Sequence, residues 1–373
     1  VEREAVCDNG IPVPRIADGL AARAGRIQHL HAFRGFAIIN IVAVHVFSTV
    51  LKAASAQADP GPAAKWIGVF NEILFHGSTL YFALISGLLF TVALRRRGWQ
   101  RFFRNKVTNV IAPYIVMSLL FTMIKWYLDH GFPSAGNPPA AFFGTFLSNL
   151  WLGMAQPGYW YIPVIVVLFA ATPLLAVLVT GRHAGIGILV VGTLPLFLTR
   201  SGVEVTPGTL IYFAGMYAVG MYMGENYPGN LERLRRWRWA FGAIAATSTA
   251  FLALLFARDM DLYGGISLRE SLFYLQKLAL SGLLLVFLQR WEHRLPGALD
   301  QLASHAFAIY FLHQFVIKVL IRYSPAVFPP SQNGGMLVAL SLSICGSALA
   351  LSWLVSRSVK GVCGRHSKWL IGA

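Results

Sequence analysis

Long apolar runs decide what this chain can fold into. A helix crosses the hydrocarbon of a bilayer with about 20 apolar residues, within a range of about 17–25. Ten stretches approach that length: 35–51, 73–94, 107–127, 159–179, 185–199, 209–223, 239–257, 272–287, 305–321 and 336–355. The fifth, sixth and eighth are short, and Pro195 interrupts the fifth. One more run, 141–154, is too short to span and reads as interfacial or re-entrant. Charged residues make up only 12% of the chain, against about a quarter in soluble domains. The mean hydropathy is +0.59. These values exclude a soluble globular enzyme, a disordered chain and a fibrous protein. The expected fold is an all-α polytopic membrane protein with about ten transmembrane helices. Cys7, Cys345 and Cys363 are too few and too scattered for a disulfide framework or a zinc site, so no metal is expected.

Charge gives the orientation. With both termini cytoplasmic, the inside segments hold 21 Lys and Arg and the outside segments hold 7. Cytoplasmic loops carry that excess in membrane proteins. The bias also explains a net charge of +16 without nucleic acid, because the cations are spread over several loops. All 15 acidic residues fall outside the ten runs. Ion-coupled transporters keep carboxylates inside the membrane, so this distribution argues against one. The first 33 residues mix both charge signs and lack a basic head followed by an apolar run, so no secretory leader is expected there. The layout is a cytoplasmic segment at 1–33, a membrane domain at 34–355 and a basic cytoplasmic tail at 356–373.

The informative residues are polar groups inside the runs. Arg34 opens the first span, and His45 lies eleven residues on. Eleven residues make about 1100°, within about 20° of three full turns, so both side chains share a face about 16 Å apart along the axis. Asn40 lies on the other face. A histidine that deep is too far from either surface to snorkel and must face a polar interior. It is either hydrogen-bonded between helices or a proton acceptor in a reaction. Arg34 is either an orientation anchor or a cation holding an anionic ligand at the cytoplasmic mouth.

His313 is a second intramembrane histidine, about 12 Å into its span, either hydrogen-bonded to Tyr310 or Asn40 or a catalytic group. Ser86-Gly87 reads either as close helix packing or as a gap through which a ligand passes. Arg104 and Lys106 start the third span beside Phe102 and Phe103 and can grip phosphates or anionic lipid. Tyr159-Trp160-Tyr161 is an aromatic belt at the interface or a wall on which a sugar ring stacks. Lys277 and Lys318, near outer helix ends, are expected to snorkel.

Five motifs in one order resemble the acyltransferase 3 family of integral-membrane acyltransferases. They are Arg34 with ten residues before His45, Tyr81 through Leu89 around Ser86-Gly87, Phe102-Phe103-Arg104 through Pro113-Tyr114, Tyr159-Trp160-Tyr161-Ile162, and Ile309-Tyr310-Phe311-Leu312-His313. The chain departs from the family pattern at His31, where an acid is common, at Ala306, where a serine is common, and at Asn109 and Val110, where a second arginine is usual. The resemblance runs from about residue 30 to 355 and is to the stand-alone form, without a hydrolase-like domain.

That resemblance implies an acyl donor, usually acetyl-CoA, entering from the cytoplasm. It implies a hydroxyl acceptor on a glycan, glycolipid or other molecule, and a bacterial plasma membrane. His45, as general base or acyl carrier, and Arg34, which holds the CoA, are then the catalytic pair. Arg34, Arg104, Lys106 and Ser86 bind the donor, and Tyr159, Trp160, Tyr310 and His313 bind the acceptor. The rival reading is a transporter or flippase for a lipid-linked glycan.

Overall fold

A computed structural model describes residues 27–56, 61–131, 139–200, 204–323 and 333–373. The described chain is almost wholly helical, with one two-residue hairpin pairing Leu262–Tyr263 and Ile266–Ser267 antiparallel. In hydrocarbon every backbone polar group must be satisfied within the protein, and helices do this locally. Residues 1–26, most of the proposed N-terminal segment, lie outside the described residues.

The helices, in chain order, begin with α1 Gln28–Ser55, α2 Gly61–Phe75 and α3 Thr79–Leu89. Next come α4 Trp99–Lys106, α5 Ala112–His130, α6 Pro139–Leu152 and α7 Tyr161–Val179. They continue with α8 Ala184–Thr193, α9 Pro207–Glu225, α10 Tyr227–Arg236 and α11 Arg238–Ala257. The last five are α12 Leu268–Arg290, α13 Gly297–Ser304, α14 Ala306–Arg322, α15 Gly334–Cys363 and α16 Ser367–Ile371. π-Helical turns at Phe90–Leu94 and Val107–Ile111 flank α4. Each of the ten apolar runs is mostly helical, with a turn at 76–78 inside the second. Seven helices or continuous helix pairs are long and apolar enough to cross a membrane, and an eighth counts if α13 and α14, bent by 83°, form one span. The α9 helix has 19 residues but falls outside that set. Eleven of its residues are buried, so it faces protein rather than lipid and needs less hydropathy.

Helix α1 runs through the centre and packs on α2, α3, α12, α13, α14 and α15. It starts at Gln28, so residues 28–33 are already helical. His29 and His31 tie its first turn to the neighbouring helices. His29 Nδ1 lies 3.2 Å from Glu292, and His29 Nε2 lies 2.6 Å from the Tyr227 hydroxyl. Burial, and then the Glu292 carboxylate, raise the Tyr227 phenol above its ordinary value. His31 Nε2 lies 3.4 Å from Asp300, so α13 supplies a carboxylate beside the position where an acid was expected.

The α3 and α9 helices cross backbone to backbone. A Cβ at Gly87 would stand 2.0 Å from the Tyr217 carbonyl oxygen, and one at Gly220 would stand 2.0 Å from that of Leu84. Gly87 therefore serves close packing. Side-chain caps fix other helix starts. Ser267 accepts from the Glu270 amide to begin α12, and Asn333 accepts from Gly335 and Met336 to begin α15.

Several sequence expectations change here. Lys277 does not snorkel: it is fully buried, and its ammonium donates to the carbonyls of Ile73 and Leu74 and to Gln276 Oε1. Two carboxylates do enter the apolar helices. The α2 and α12 helices extend beyond the apolar runs and carry Glu72 and Glu270. His76 joins them, at 2.8 Å from Glu72 and 3.2 Å from Glu270, while Arg200 Nε lies 3.7 Å from Glu270. Helix α15 continues to Cys363, and α16 folds back so that Ile371 and Ala373 are buried.

Candidate active site

His45 lies two-thirds of the way along α1, where its half-buried ring opens on a cavity of about 850 Å³. The cavity continues along α1 away from Arg34, past Ser48 to Lys52. Its other walls come from α5, from the turn at residues 152–158 with Trp160, and from α14. Arg34 does not line it.

Beside His45 stands His313, with ring centroids 5.3 Å apart and planes tilted by 39°. The sequence put these residues 268 apart, and the fold makes them neighbours. His313 is fully buried, with Nδ1 2.8 Å from the Tyr310 carbonyl oxygen and 3.1 Å from that of Ile309. Carbonyls only accept, so Nδ1 carries the hydrogen and the neutral ring has its lone pair on Nε2. That Nε2 is buried without a hydrogen-bond partner among the described residues. Neutral His313 therefore has an acceptor, and no donor, to offer at the site. Donating one to a developing oxyanion would require its imidazolium form. Its structural partners are backbone carbonyls and not the Tyr310 hydroxyl or Asn40, whose amide instead donates to Phe36 in its own helix.

Gly158 makes room for this pair. Its φ of +90° suits glycine, and a Cβ there would stand 3.2 Å from His45 Nε2. The Tyr310 hydroxyl donates to the Gly158 carbonyl. In the reverse sense, the Tyr159 hydroxyl donates to the Phe311 carbonyl at 2.7 Å. The two tyrosines thus clasp the turn before α7 to the helix that carries His313. The sequence set both among the acceptor-binding groups; here their hydroxyls are engaged by backbone carbonyls. Tyr159 is fully buried, Tyr310 is 4% exposed, and neither lines the cavity. Trp160 does line it, backed by the Arg200 guanidinium 5.1 Å from its ring.

The expected donor residues divide. Arg34 is half-buried, with its guanidinium 5.7 Å from the centroid of the Phe307 ring. Lys106 lies within electrostatic reach of Arg34, and its ammonium sits 3.9 Å from the centroid of Phe169. The first and third helical segments thus bring two cations to one end of α1. Arg104 is exposed on α4, and Ser86 is half-buried on α3.

Sequence reasoning missed Gly158, although Pro157-Gly158 before an aromatic run is a turn signal. It also missed the cations of the cavity mouth: Lys52, Lys125, Lys318 and Arg322 all line it. Lys318, expected to snorkel, has its ammonium 3.0 Å from Gln156 Oε1 at the cavity wall.

A helical membrane protein with an open histidine on a cavity floor, a second histidine of fixed tautomer beside it and cations at the far end of the same helix has the form of a membrane group-transfer enzyme. The family comparison makes the class specific. A family model described as an acyltransferase domain, that of acyltransferase 3, matches residues 27–357, and the chain belongs to this family. No curated protein and no solved structure matches it.

Proposed function

We propose that the protein is a membrane O-acyltransferase that moves an acyl group, acetyl in the simplest case, from cytoplasmic acyl-CoA to a hydroxyl of a glycan or glycoconjugate. The observation that carries this reading is the placement of His45. Its ring faces a cavity large enough for a sugar, while Arg34 and Lys106 gather at the other end of the helix.

In this reading the two cations hold the anionic and carbonyl groups of CoA, and the pantetheine arm runs along the face shared by Arg34 and His45. Neutral His45 takes the proton of the acceptor hydroxyl as its oxygen attacks the thioester carbonyl. The tetrahedral intermediate collapses by breaking the C–S bond, and the imidazolium returns its proton to the CoA thiolate. A positioned general base contributes about 10²–10⁴-fold. His313 Nε2 accepts a hydrogen bond from the acceptor or from the His45 ring and keeps His45 in register.

The topology that goes with this is ten crossings with both termini cytoplasmic, in a bacterial plasma membrane. It counts α8, α9 and the bent α13–α14 pair as crossings. Two features support it. The Lys and Arg bias favours that orientation. The chain end also returns to the Arg34 side, where a Cβ at Gly372 would stand 3.1 Å from Phe307.

The test is acetyl-CoA binding and turnover by the detergent-purified protein, beside Arg34→Ala and His45→Ala. Wild type should bind acetyl-CoA and slowly release CoA thiol. Arg34→Ala should lose binding, and His45→Ala should bind but not turn over. A folded wild type that neither binds nor consumes acetyl-CoA or a longer acyl-CoA overturns the reading.

A further inference from the structure

The cavity above His45 has a charge pattern that catalysis by His45 does not require. Lys52 of α1, Lys125 of α5, and Lys318 and Arg322 of α14 all line it, against the carboxylates of Glu72 and Asp129. Glu72 is already engaged by His76 at 2.8 Å. Among the described residues, Lys52, Lys125 and Arg322 make no ion pair. Like charges brought together at the mouth of a low-dielectric cleft repel one another, and such a cleft focuses their field on anything that enters.

The convergence runs against the distribution of cations in the chain. On the side away from Arg34 the sequence places only 7 of its 31 Lys and Arg, yet three of those seven meet at this one mouth and Lys318 joins them. They arrive from three helices far apart in sequence, so no local repeat produces the cluster. Lys318 is also held in place, its ammonium bonded to the amide oxygen of the nearly buried Gln156.

Spacing sets where an anion would sit. Lys52 lies seven residues beyond His45, within about 20° of two full turns and about 10 Å along the axis. From these observations we propose that the acceptor is an acidic sugar. A carboxylate or phosphate of the glycan is held by Lys52, Lys125, Lys318 and Arg322 about 10 Å beyond the hydroxyl that His45 activates. This rests on the proposed acyl transfer for its chemistry, while the anion recognition itself is read from the cavity.

The test uses the full-length protein in detergent and follows carbethoxylation of His45 by diethylpyrocarbonate with peptide-resolved mass spectrometry. The probes are methyl β-glucuronide, glucose 6-phosphate and neutral methyl β-glucoside, at constant ionic strength. Exposed His130 and His183 report the reagent's activity. Both charged sugars should protect His45 at concentrations about tenfold below the glucoside, the factor that about 1.4 kcal/mol of added binding gives. Protection by only one of them names the anion as carboxylate or phosphate. In Lys318→Gln/Arg322→Gln that preference should fall to within about twofold, and Lys52→Gln/Lys125→Gln is the second variant if the first does not fold.

Equal protection by all three sugars, or protection by none, overturns the inference. A preference that survives neutralising both pairs also overturns it. Acetyl-CoA turnover is measured on the same samples. Turnover without a charge preference removes only this inference. A charge preference without acetyl-CoA binding or turnover removes the acyl-transfer reading and leaves the anion site.

Discussion

The hydroxyl of Tyr310 donates to the carbonyl of Gly158. One residue along in each segment, the Tyr159 hydroxyl donates back to the Phe311 carbonyl at 2.7 Å. Each segment supplies one donor and one acceptor, so the turn and the helix cannot shift without losing both bonds. The turn presents Gly158 to His45, and the helix presents His313 to the same ring. The clasp therefore sets the distance between the groups on either side of His45.

Removing either hydroxyl tests that clasp. Tyr159→Phe and Tyr310→Phe should each lower stability by about 1 kcal/mol, the usual net value of one hydrogen bond. Because the bonds act on the same two segments, the double variant should lose less than the two single losses summed. Thermal unfolding in detergent reads the stability. CoA-thiol release reads the function and should fall in each single variant while acetyl-CoA binding persists. Unchanged turnover in both would make the clasp purely structural.

Gly158→Ala should separate folding from activity more sharply. The new methyl would stand 3.2 Å from His45 Nε2, and the backbone would have to hold a φ of +90°. Strain of that kind costs of order 1–3 kcal/mol. The methyl also covers the nitrogen that would take the acceptor's proton. The expected result is a folded protein that binds acetyl-CoA and has lost most of its turnover. Wild-type turnover would show that Nε2 is not the working nitrogen.

What the sequence made legible follows from local geometry. Apolar runs of bilayer length become helices, and a separation of eleven residues puts Arg34 and His45 on one face of the first. Lys277 was misread because a lysine near a helix end snorkels only if water or headgroups are within reach, and this one is fully buried. The chain instead offers Lys277 two carbonyls. Glu72 and Glu270 escaped the spans because an apolar run stops at the first charge, whereas the helix backbone continues. Tyr159 read as an interface aromatic because its position is terminal, and only the fold shows that its hydroxyl is already committed to Phe311. The cavity and its cations depend on contacts between α1, α5 and α14, which no local pattern encodes.

The crossing of α3 and α9 predicts a strong size limit. Gly220 touches the Leu84 carbonyl, and Gly87 touches that of Tyr217, so the two sites guard the same contact from opposite sides. Gly220→Leu should prevent the helices from meeting and give a protein that aggregates or is degraded. Gly220→Ala should fold with a loss of at least about 1–3 kcal/mol, the usual cost of overpacking. Gly242, with open space where its Cβ would be, is the control and should accept alanine without loss. Size-exclusion profiles and melting temperatures in detergent decide between these outcomes.

Lys277 offers the last test, because its role is set by two helix-end carbonyls. Ile73 and Leu74 lie in the final turn of α2, whose carbonyls have no partner further along that helix. The ammonium of α12 donates to both and also to Gln276. A cation suits the negative end of a helix. Lys277→Met keeps the bulk of the side chain but leaves those oxygens in a fully buried site. It should cost about 1–3 kcal/mol for unsatisfied acceptors. Lys277→Arg should not rescue it, because a planar fork of five donors does not fit where a compact ammonium makes three bonds. The turn after α2 carries His76, which holds Glu72 at the cavity wall. Loosening the end of α2 should therefore weaken protection of His45 by acidic sugars as well as lower the melting temperature. A Lys277→Met protein with wild-type stability would mean that the carbonyls find other donors and that the buried lysine is not what anchors α2.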